Sequence, residues 1–292
     1  MQLAVISDIH SNYRALESCL AEAKRRKIDH YLFLGDYTTD CAYPQKTMDI
    51  LYALQADKSC WFIRGNREEY LLRHRQGFQD GWKVPSTTTG NLLYTYENLR
   101  TKDLDFFESL DIKQTVEIEG YPALLCCHGS PTDSRGDLSF GSEGARRALE
   151  TYEEEIIVCG HTHHQGVFVH NGKKLANAGS VGVPVDWDGR TQFLVLHSQG
   201  GEWQEEFIRL EYDREGTIRD LYESGLAEKC NIWAKTVEDT LRTGVDKTIL
   251  CLELAQRLFK QQTAAGGGNG CGEEELEEVC WREAARQLGI CS

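Results

Sequence analysis

Short apolar runs alternate with segments of helical periodicity along the first two thirds of the chain. The run "LAVIS" at 3–7 is typical of a buried strand, and "YLFLGD" at 31–36 predicts a second. Between them, "YRALESCLAEAKRRK" has apolar residues at helical spacing and basic residues in its last turn, which suits the helix dipole. This strand–helix–strand order predicts parallel strands covered by helices.

Later apolar runs extend the sheet pattern. Runs at 60–66, 121–129 and 155–163 predict three more buried strands. Two hairpins follow them, and their two-residue turns are expected at 171–172 (Asn-Gly) and 200–201 (Gly-Gly). The strand pattern therefore predicts an α/β fold.

The other segments of the chain are mostly helical. Residues 67–110 combine helical stretches with a polar, glycine-containing middle, and we expect an insertion that leaves the sheet and returns, as a cap does. After about Tyr212 the strand pattern stops, so we divide the chain into a domain over 1–212 and a helical C-terminal extension over 213–292. Within the extension, "QQTAAGGGNGCG" at 261–272 has the composition of a flexible linker.

Composition narrows the classes of function. The formal net charge of −14 argues against binding to nucleic-acid duplexes, which depends on basic residues, but bound cations could still attract a small phosphorylated substrate. No segment has the ~18–20 apolar residues of a membrane-spanning helix, and the N-terminus lacks the pattern of a signal peptide. Many of the 11 cysteines lie within apolar runs, which is typical of reduced buried thiols. We therefore expect a cytoplasmic protein that binds no membrane.

Side chains that can hold a metal follow each of the five predicted strands. They comprise two carboxylates, one amide and four imidazoles: Asp8, His10, Asp36, Asn66, His128, His161 and His163. Ligands bind beyond the carboxyl ends of strands in open α/β sheets. In extended backbone, residues i and i+2 point to the same side, so Asp8 and His10 should converge. The same holds for His161 and His163, whereas His164 should point away. Each motif alone is also consistent with a plain turn, but the whole set favours a metal site.

The order of these motifs resembles a known family. "DIH", "GD", "GN", "CHG", "GHTH" and a trailing "NAGSVGVP" span about residues 1–210, as in calcineurin-like metallophosphoesterases, with most similarity to the small bacterial and archaeal members. The resemblance implies a four-layer αββα sandwich of mixed sheets with a helical cap insertion and a helical C-terminal extension. The second motif, "GDYTTDCAYP", departs from the GDxxDRG pattern of the longer serine/threonine phosphatases.

The resemblance also implies two metal ions. A first set of ligands, a second set and a bridging carboxylate would hold them: Asp8, His10 and His163; Asn66, His128 and His161; and Asp36. Oxygen and nitrogen ligands without thiolates favour Mn, with Fe or Zn as alternatives. Cys127 and Cys159, beside the ligands, are expected to face the core.

The reaction implied is hydrolysis of a phosphoester. Two cations lower the pKa of a shared water, orient the phosphoryl group and neutralise its charge, so the nucleophile would be a metal-bridging hydroxide. Asn66 and His128, with Arg67, would act in catalysis. Covalent catalysis by Ser130 or a cysteine is an alternative, but it lacks an evident base.

Arg67 stands where the family's third motif often has histidine, since the sequence is "GNRE". Arginine cannot act as a general acid near neutral pH, because its pKa exceeds ~12, but it can clamp phosphate oxygens. We therefore expect phosphodiesters, nucleotide-like molecules or activated esters as substrates. Alternatively, Arg67 is a surface residue that begins a helix with Glu68 and Glu69. His74 is a candidate for the missing acid, or an exposed histidine without a role.

Four residues of the insertion are candidates for substrate contacts, or else they pack the insertion onto the domain: Trp82, Asn91, Tyr94 and Tyr96. The C-terminal helices show no site chemistry. Three other functions are left open by the sequence: a serine/threonine-type protein phosphatase, a phosphomonoesterase, and a non-catalytic metal-binding scaffold.

Overall fold

Two five-stranded sheets form the centre of the molecule. The computed structural model describes residues 1–28, 30–78, 81–82, 85–264 and 273–291 of the chain. In spatial order the first sheet contains β10 (Glu202–Leu210), β9 (Thr191–Gln199), β1 (Gln2–Ile6), β2 (His30–Phe33) and β3 (Ser59–Phe62). The second contains β4 (Lys113–Val116), β5 (Leu124–Cys127), β6 (Ile156–Cys159), β8 (Lys173–Asn177) and β7 (Gly166–His170).

Both sheets are mixed, as the resemblance implies. In the first, β1, β2 and β3 are parallel, while β9 pairs antiparallel with β1 and with β10. In the second, β5, β6 and β8 are parallel and the edge strands β4 and β7 are antiparallel. Both expected hairpins are confirmed, because β7 pairs with β8 and β9 with β10 across the two-residue turns.

Helices cover the outer faces of the sheets and build the C-terminal extension. In chain order they are α1 (Tyr13–Arg25), α2 (Pro44–Asp57), α3 (Asn66–Arg75), α4 (Gly90–Glu97), α5 (Thr101–Ser109), α6 (Glu143–Thr151), α7 (Arg214–Glu223), α8 (Leu226–Lys229), α9 (Asn231–Thr243), α10 (Lys247–Ala264) and α11 (Glu273–Gln287).

The continuous apolar runs of the strands are explained by burial on both faces. In β1, Leu3 and Val5 pack into the core between the two sheets, while Ala4 and Ile6 pack with residues of α1. On the far side, Leu125 of β5 packs in a cluster with residues of α6. The layers are thus helix, sheet, sheet and helix, which confirms the αββα sandwich.

The extension has a hydrophobic cluster of its own, in which Trp233 and Trp281 are buried together with Cys41 and Tyr94 of the preceding domain. Helix α10 continues to Ala264, so the beginning of the expected linker is helical. The rest of that linker, 265–272, lies outside the described residues.

The insertion over 67–110 contains helical segments, as expected, but much of it belongs to the layer on the first sheet. Leu71 of α3 and Phe107 of α5 are buried in the same cluster as β1 and α1. Helices α2 and α6 and strand β4 were not predicted from the sequence. Strand β4 has a weak pattern because it is an edge strand in which only Val116 is fully buried.

Candidate metal centre

All seven candidate ligands lie just past the ends of strands, at the edge where the two sheets meet. Asp8 follows β1, Asp36 follows β2, and Asn66 is the first residue of α3 after β3. His128 directly follows β5, and His161 lies close behind β6. The ring centroids of His128 and His161 are 5.1 Å apart. The placement expected from the strand ends is therefore confirmed.

The backbone geometry that was expected for these residues is wrong. Asp8 and His10 have φ values of 54° and 48°, and His161 and His163 have φ values of 66° and 58°. These residues are thus in left-handed turns and not in extended strands. Left-handed backbone is unfavourable for residues other than glycine, and it is often found at functional sites where the surroundings enforce it.

A buried glutamate supports two of the ligand loops. The carboxylate of Glu68 in α3 accepts hydrogen bonds from the backbone N–H groups of Asp36, Tyr37 and Gly65 at 2.8–2.9 Å. A Cβ on Gly35 would lie 2.6 Å from the Cα of Gly65, so the two loops approach too closely for a side chain there. The Gly-Asp and Gly-Asn motifs are therefore parts of one packed unit.

Three histidine rings are oriented by hydrogen bonds that their Nδ1 atoms donate to neighbouring oxygen atoms. His163 Nδ1 donates to the carbonyl of Val183 at 2.7 Å, and His128 Nδ1 donates to the carbonyl of Leu34 at 2.8 Å. His10 Nδ1 lies 2.9 Å from a carboxylate oxygen of Asp40. When Nδ1 carries the proton of a neutral imidazole, Nε2 has a free lone pair. All three Nε2 atoms then point into the site as potential ligands.

The site contains an unpaired buried oxygen. Asp8 Oδ2 accepts hydrogen bonds from Ser7 Oγ at 2.6 Å and from the backbone N–H of His161 at 2.9 Å. Asp8 Oδ1 is fully buried and has no hydrogen-bond donor among the described residues. Instead, Oδ1 lies 3.2 Å from His163 Nε2 and 3.7 Å from His10 Nε2. These two Nε2 atoms are 3.1 Å apart.

Such an arrangement fits a cation. Buried carboxylate oxygens and facing lone pairs repel one another, and they are stable together only when positive charge lies between them. Two groups of side chains offer ligand atoms within 4.8 Å of one another: Asp8, His10 and His163; and Asp8, Asp36 and His128. The donor set of carboxylates and imidazoles is one that Mn, Fe and Zn accept.

Two carboxylates occupy the position between the groups. Asp36 Oδ2 lies 3.4 Å from His128 Nε2 and 3.9 Å from His10 Nε2. Asp8 Oδ1 lies 3.8 Å from His128 Nε2, so Asp8 shares the intermediate position that the resemblance gave to Asp36 alone. Asn66 Oδ1 lies 3.1 Å from His128 Nε2 and completes that side of the site.

The electrostatics of the site favour bound positive charge. Burial opposes ionisation of Asp8, but the neighbouring His163 and His128 outweigh it and hold the pKa of Asp8 well below its usual range. Burial lowers the pKa of His10, but the hydrogen bond to Asp40 and the nearby carboxylates of Asp8 and Asp36 raise it to about 10. His161 differs, because burial and the charge of His128 lower its pKa to about 4. It is therefore a neutral imidazole near physiological pH.

Arg67 lies inside the site, so the alternative of a surface arginine is wrong. Its side chain is 20% exposed, and Nη2 lies 3.2 Å from a carboxylate oxygen of Asp40. Its backbone N–H donates to Asp36 Oδ1 at 2.8 Å, and its buried Nε has no hydrogen-bond partner in the described chain. The guanidinium also lies 5.9 Å from the ring centre of Trp233.

The pocket above the ligands is partly walled by the C-terminal extension, which the sequence analysis left without a role. Its volume is about 160 Å³, and residues of α9 and α10 line it: Trp233, Val237, Thr248 and Ile249. Among the described residues of the 67–110 insertion, Arg67 alone lines this pocket. The covering expected from the insertion is thus supplied largely by α9 and α10.

The other insertion candidates do not line this pocket. The ring of His74 stacks on Trp82 at 4.2 Å and contacts Tyr96 at 4.7 Å, so these three residues pack with one another. Tyr94 is buried in the cluster of the C-terminal extension. Asn91 is buried and donates to Asp40 at 2.9 Å.

The remaining candidates are also placed outside the ligand set. Cys127 and Cys159 are buried in the cluster under α6, so they face the core as expected. Ser130 Oγ bonds to the backbone of Asp133 at 3.1 Å within a turn. His164 is exposed, as expected.

Sequence reasoning missed Asp40 and Glu68. Both are acidic residues that become buried beside the ligands. Asp40 lies four residues beyond Asp36, and Cys41 and Ala42, which directly follow it, are the one local signal of burial. Glu68 was considered only as part of a solvent-exposed helix start.

Comparisons with known proteins show the family of the chain. Residues 1–201 match the family model of the calcineurin-like phosphoesterase superfamily domain. The chain is 25% identical over 248 residues to the uncharacterized protein MJ0912 of Methanocaldococcus jannaschii, covering 79% of this chain and 94% of that protein. It is 26% identical over 134 residues to a PP2A-like serine/threonine-protein phosphatase, PPG1, of Candida albicans, covering 45% of this chain and 30% of that protein.

Two solved structures have a similar fold. The hypothetical protein PH1004 of Pyrococcus horikoshii has a TM-score of 0.72 at 20% identity, covering 83% of this chain and 98% of that one. A metallophosphoesterase of Sphaerobacter thermophilus has a TM-score of 0.66 at 22% identity, covering 84% of this chain and 99% of that one. No helix in the described ranges is long and apolar enough to span a bilayer. The chain belongs to the calcineurin-like phosphoesterase superfamily.

Proposed function

We propose that this protein is a dinuclear metal-dependent phosphoesterase that hydrolyses a small phosphodiester or a nucleotide-like molecule. One observation carries the proposal. Three imidazole rings each donate a hydrogen bond from Nδ1 to a neighbouring oxygen atom. Their Nε2 atoms converge on the unpaired Oδ1 of a buried aspartate, Asp8. Membership of the phosphoesterase superfamily supports the same conclusion.

Two sets of residues would hold the ions, with Asp36 and Asp8 between them. The first set is His10 and His163, and the second is Asn66, His128 and His161. Bound ions would activate a water molecule and neutralise charge on the phosphoryl group. Mn is our first choice of metal, and Fe and Zn are alternatives with the same donor atoms.

The chain itself binds and orients the substrate. Arg67 is held against Asp40 through Nη2, and its side chain lines the pocket, where the exposed part of the guanidinium can bind a phosphate oxygen. Arginine cannot supply a proton to the leaving group near neutral pH. Substrates with a good leaving group, such as diesters with an aryl or nucleoside group, are therefore favoured over alkyl monoesters.

The pocket favours a small substrate. Its volume of about 160 Å³ is below the roughly 300–1,000 Å³ of typical small-molecule sites. A serine/threonine-type protein phosphatase is the second candidate, and the 26% identity to the Candida albicans phosphatase over 134 residues favours it. The small volume of the pocket favours the small-molecule substrate over a phosphoprotein.

The proposed compartment is the cytoplasm. The ten cysteines among the described residues are all free thiols, and most of them are buried. Unpaired buried thiols are typical of proteins from reducing compartments.

Metal analysis and turnover test the proposal. We expect Mn²⁺ to bind the metal-stripped protein and to support hydrolysis of a bis-aryl phosphate in preference to a mono-aryl phosphate. His163→Ala should lower kcat/KM by about 100-fold or more, because losing a ligand costs at least as much as losing a residue that supports one. The matched control is His164→Ala, which removes an exposed neighbouring imidazole and should leave turnover unchanged.

Three outcomes would contradict the proposal in different ways. A strong preference for the monoester would overturn the role given to Arg67. Metal binding without turnover of either ester would favour the non-catalytic scaffold. Equal losses in the His163 and His164 variants would show that the site lies elsewhere.

A further inference from the structure

Asp40 is a buried carboxylate with five polar contacts, and it links the C-terminal extension to a candidate metal ligand. It is 5% exposed, and its backbone is left-handed with a φ of 58°. We propose that Asp40 is a positioning residue that orients His10 toward the metal, and that Trp233 of α9 holds Asp40 in place. The inference rests on the proposed function only in requiring that a metal binds at His10.

Each oxygen of Asp40 has a distinct set of partners. Oδ2 lies 2.9 Å from His10 Nδ1, 3.2 Å from Arg67 Nη2 and 3.2 Å from Thr39 Oγ1. Oδ1 accepts hydrogen bonds from Trp233 Nε1 at 2.7 Å and from Asn91 Nδ2 at 2.9 Å. With both oxygens occupied, the carboxylate has little freedom to rotate away from His10.

The Nδ1 atom of His10 has a different kind of acceptor from the Nδ1 atoms of His128 and His163. His128 and His163 donate from Nδ1 to neutral backbone carbonyls, whereas His10 donates to a carboxylate. A carboxylate partner raises the basicity of the opposite nitrogen and fixes the ring, so it strengthens the bond from Nε2 to a metal. His10 is therefore the ligand whose metal affinity depends most on a neighbouring side chain.

Trp233 connects this arrangement to a distant part of the chain. Its indole N–H makes the shortest of the contacts to Asp40, across 193 residues of sequence. Trp233 also lines the pocket and lies near the guanidinium of Arg67. The C-terminal extension thereby reaches the metal centre through two successive hydrogen bonds, from Trp233 to Asp40 and from His10 to Asp40.

Metal titration of three variants of the full-length protein tests the inference. Asp40→Asn keeps the shape of the side chain but removes its charge, and Trp233→Phe removes the indole N–H but keeps an aromatic ring. Trp281→Phe is the matched control. Trp281 is buried in the same cluster, 6.1 Å from Trp233 between ring centres, and within the described residues no hydrogen bond joins it to Asp40.

The measured quantities are the dissociation constant of Mn²⁺ and the absorption spectrum of the Co²⁺-loaded protein. We expect Asp40→Asn to weaken Mn²⁺ binding by about 10- to 100-fold, which is the usual effect of removing a carboxylate behind a metal-bound histidine. Trp233→Phe should weaken it by a smaller factor and change the Co²⁺ spectrum in the same direction. Trp281→Phe should change neither. Thermal unfolding of the metal-free proteins checks that all three variants are folded.

The outcomes separate this inference from the proposed function. If the wild-type protein binds metal and all three variants bind it equally well, Asp40 and Trp233 have no positioning role, while the proposed function stands. If Trp281→Phe weakens binding as much as Trp233→Phe does, the effect is one of packing and the hydrogen-bond link is refuted. If the wild-type protein binds no metal, the proposed function fails first.

Discussion

Replacing Glu68 by alanine removes the acceptor that joins two ligand loops. In the native protein its carboxylate satisfies three buried backbone N–H groups, those of Asp36, Tyr37 and Gly65. Each buried donor left without an acceptor costs about 1–3 kcal/mol. The variant should therefore lose about 3–6 kcal/mol in the free energy of unfolding, since such terms are not fully additive. That is a large part of the roughly 5–15 kcal/mol of a typical domain.

Urea denaturation of the metal-free protein measures this loss without any contribution from bound ions. Glu69→Ala is the matched control, because Glu69 is the neighbouring residue on the same helix and its side chain is 31% exposed. Its side chain accepts one hydrogen bond, from Ser134, and forms a partly exposed ion pair with Arg64 at 3.8 Å, so the control should lose about 1 kcal/mol. A loss for Glu68→Ala that is no larger than the loss for Glu69→Ala would refute the reasoning.

Three further changes have expected outcomes. Gly160→Ala places a Cβ 2.5 Å from Asp8 Oδ2, so it should displace that ligand and weaken Mn²⁺ binding, as measured by titration. Arg67→Lys keeps the positive charge but loses the planar guanidinium with its paired N–H donors. We expect kcat/KM for a bis-aryl phosphate to fall about 10-fold while the Mn²⁺ affinity changes little. An unchanged kcat/KM would show that Arg67 does not touch the phosphate. Ile249→Ala widens the pocket and should raise kcat/KM for bulky diesters relative to small ones, whereas Leu250→Ala, which does not line it, should not.

The sequence predicted the ends of the strands well because burial on both faces leaves a simple signal. Continuous apolar runs are interrupted where the polar ligand motifs begin, so the positions of Asp8, Asp36 and His128 could be found without a structure. The two hairpins were also predictable, since Asn-Gly and Gly-Gly turns have few alternatives.

The way in which the ligands converge was not predictable from strand periodicity. From extended backbone we predicted that the side chains of Asp8 and His10 would converge. They do converge, since Asp8 Oδ1 lies 3.7 Å from His10 Nε2, but the reason was wrong. Both residues are in left-handed turns that depend on hydrogen bonds to other loops, such as the one from the His10 N–H to the carbonyl of Asp36 at 3.0 Å. Periodicity carries no information about such loops.

Residues that act through tertiary contacts were missed for the same reason. Trp233 belongs to an amphipathic helix whose pattern predicts only that it packs against something. Its hydrogen bond to Asp40 spans 193 positions. The pairing of an indole N–H with a buried carboxylate depends on how the C-terminal extension docks, and a local pattern does not encode that docking.

Anomalous diffraction from crystals of the Mn²⁺-loaded protein would show whether two ions bind at these side chains. We expect two anomalous peaks, one bonded to His10 and His163 and the other bonded to His128, with Asp8 or Asp36 between them. A map without peaks at these side chains, or with manganese bound only at other carboxylates on the surface, would contradict this expectation.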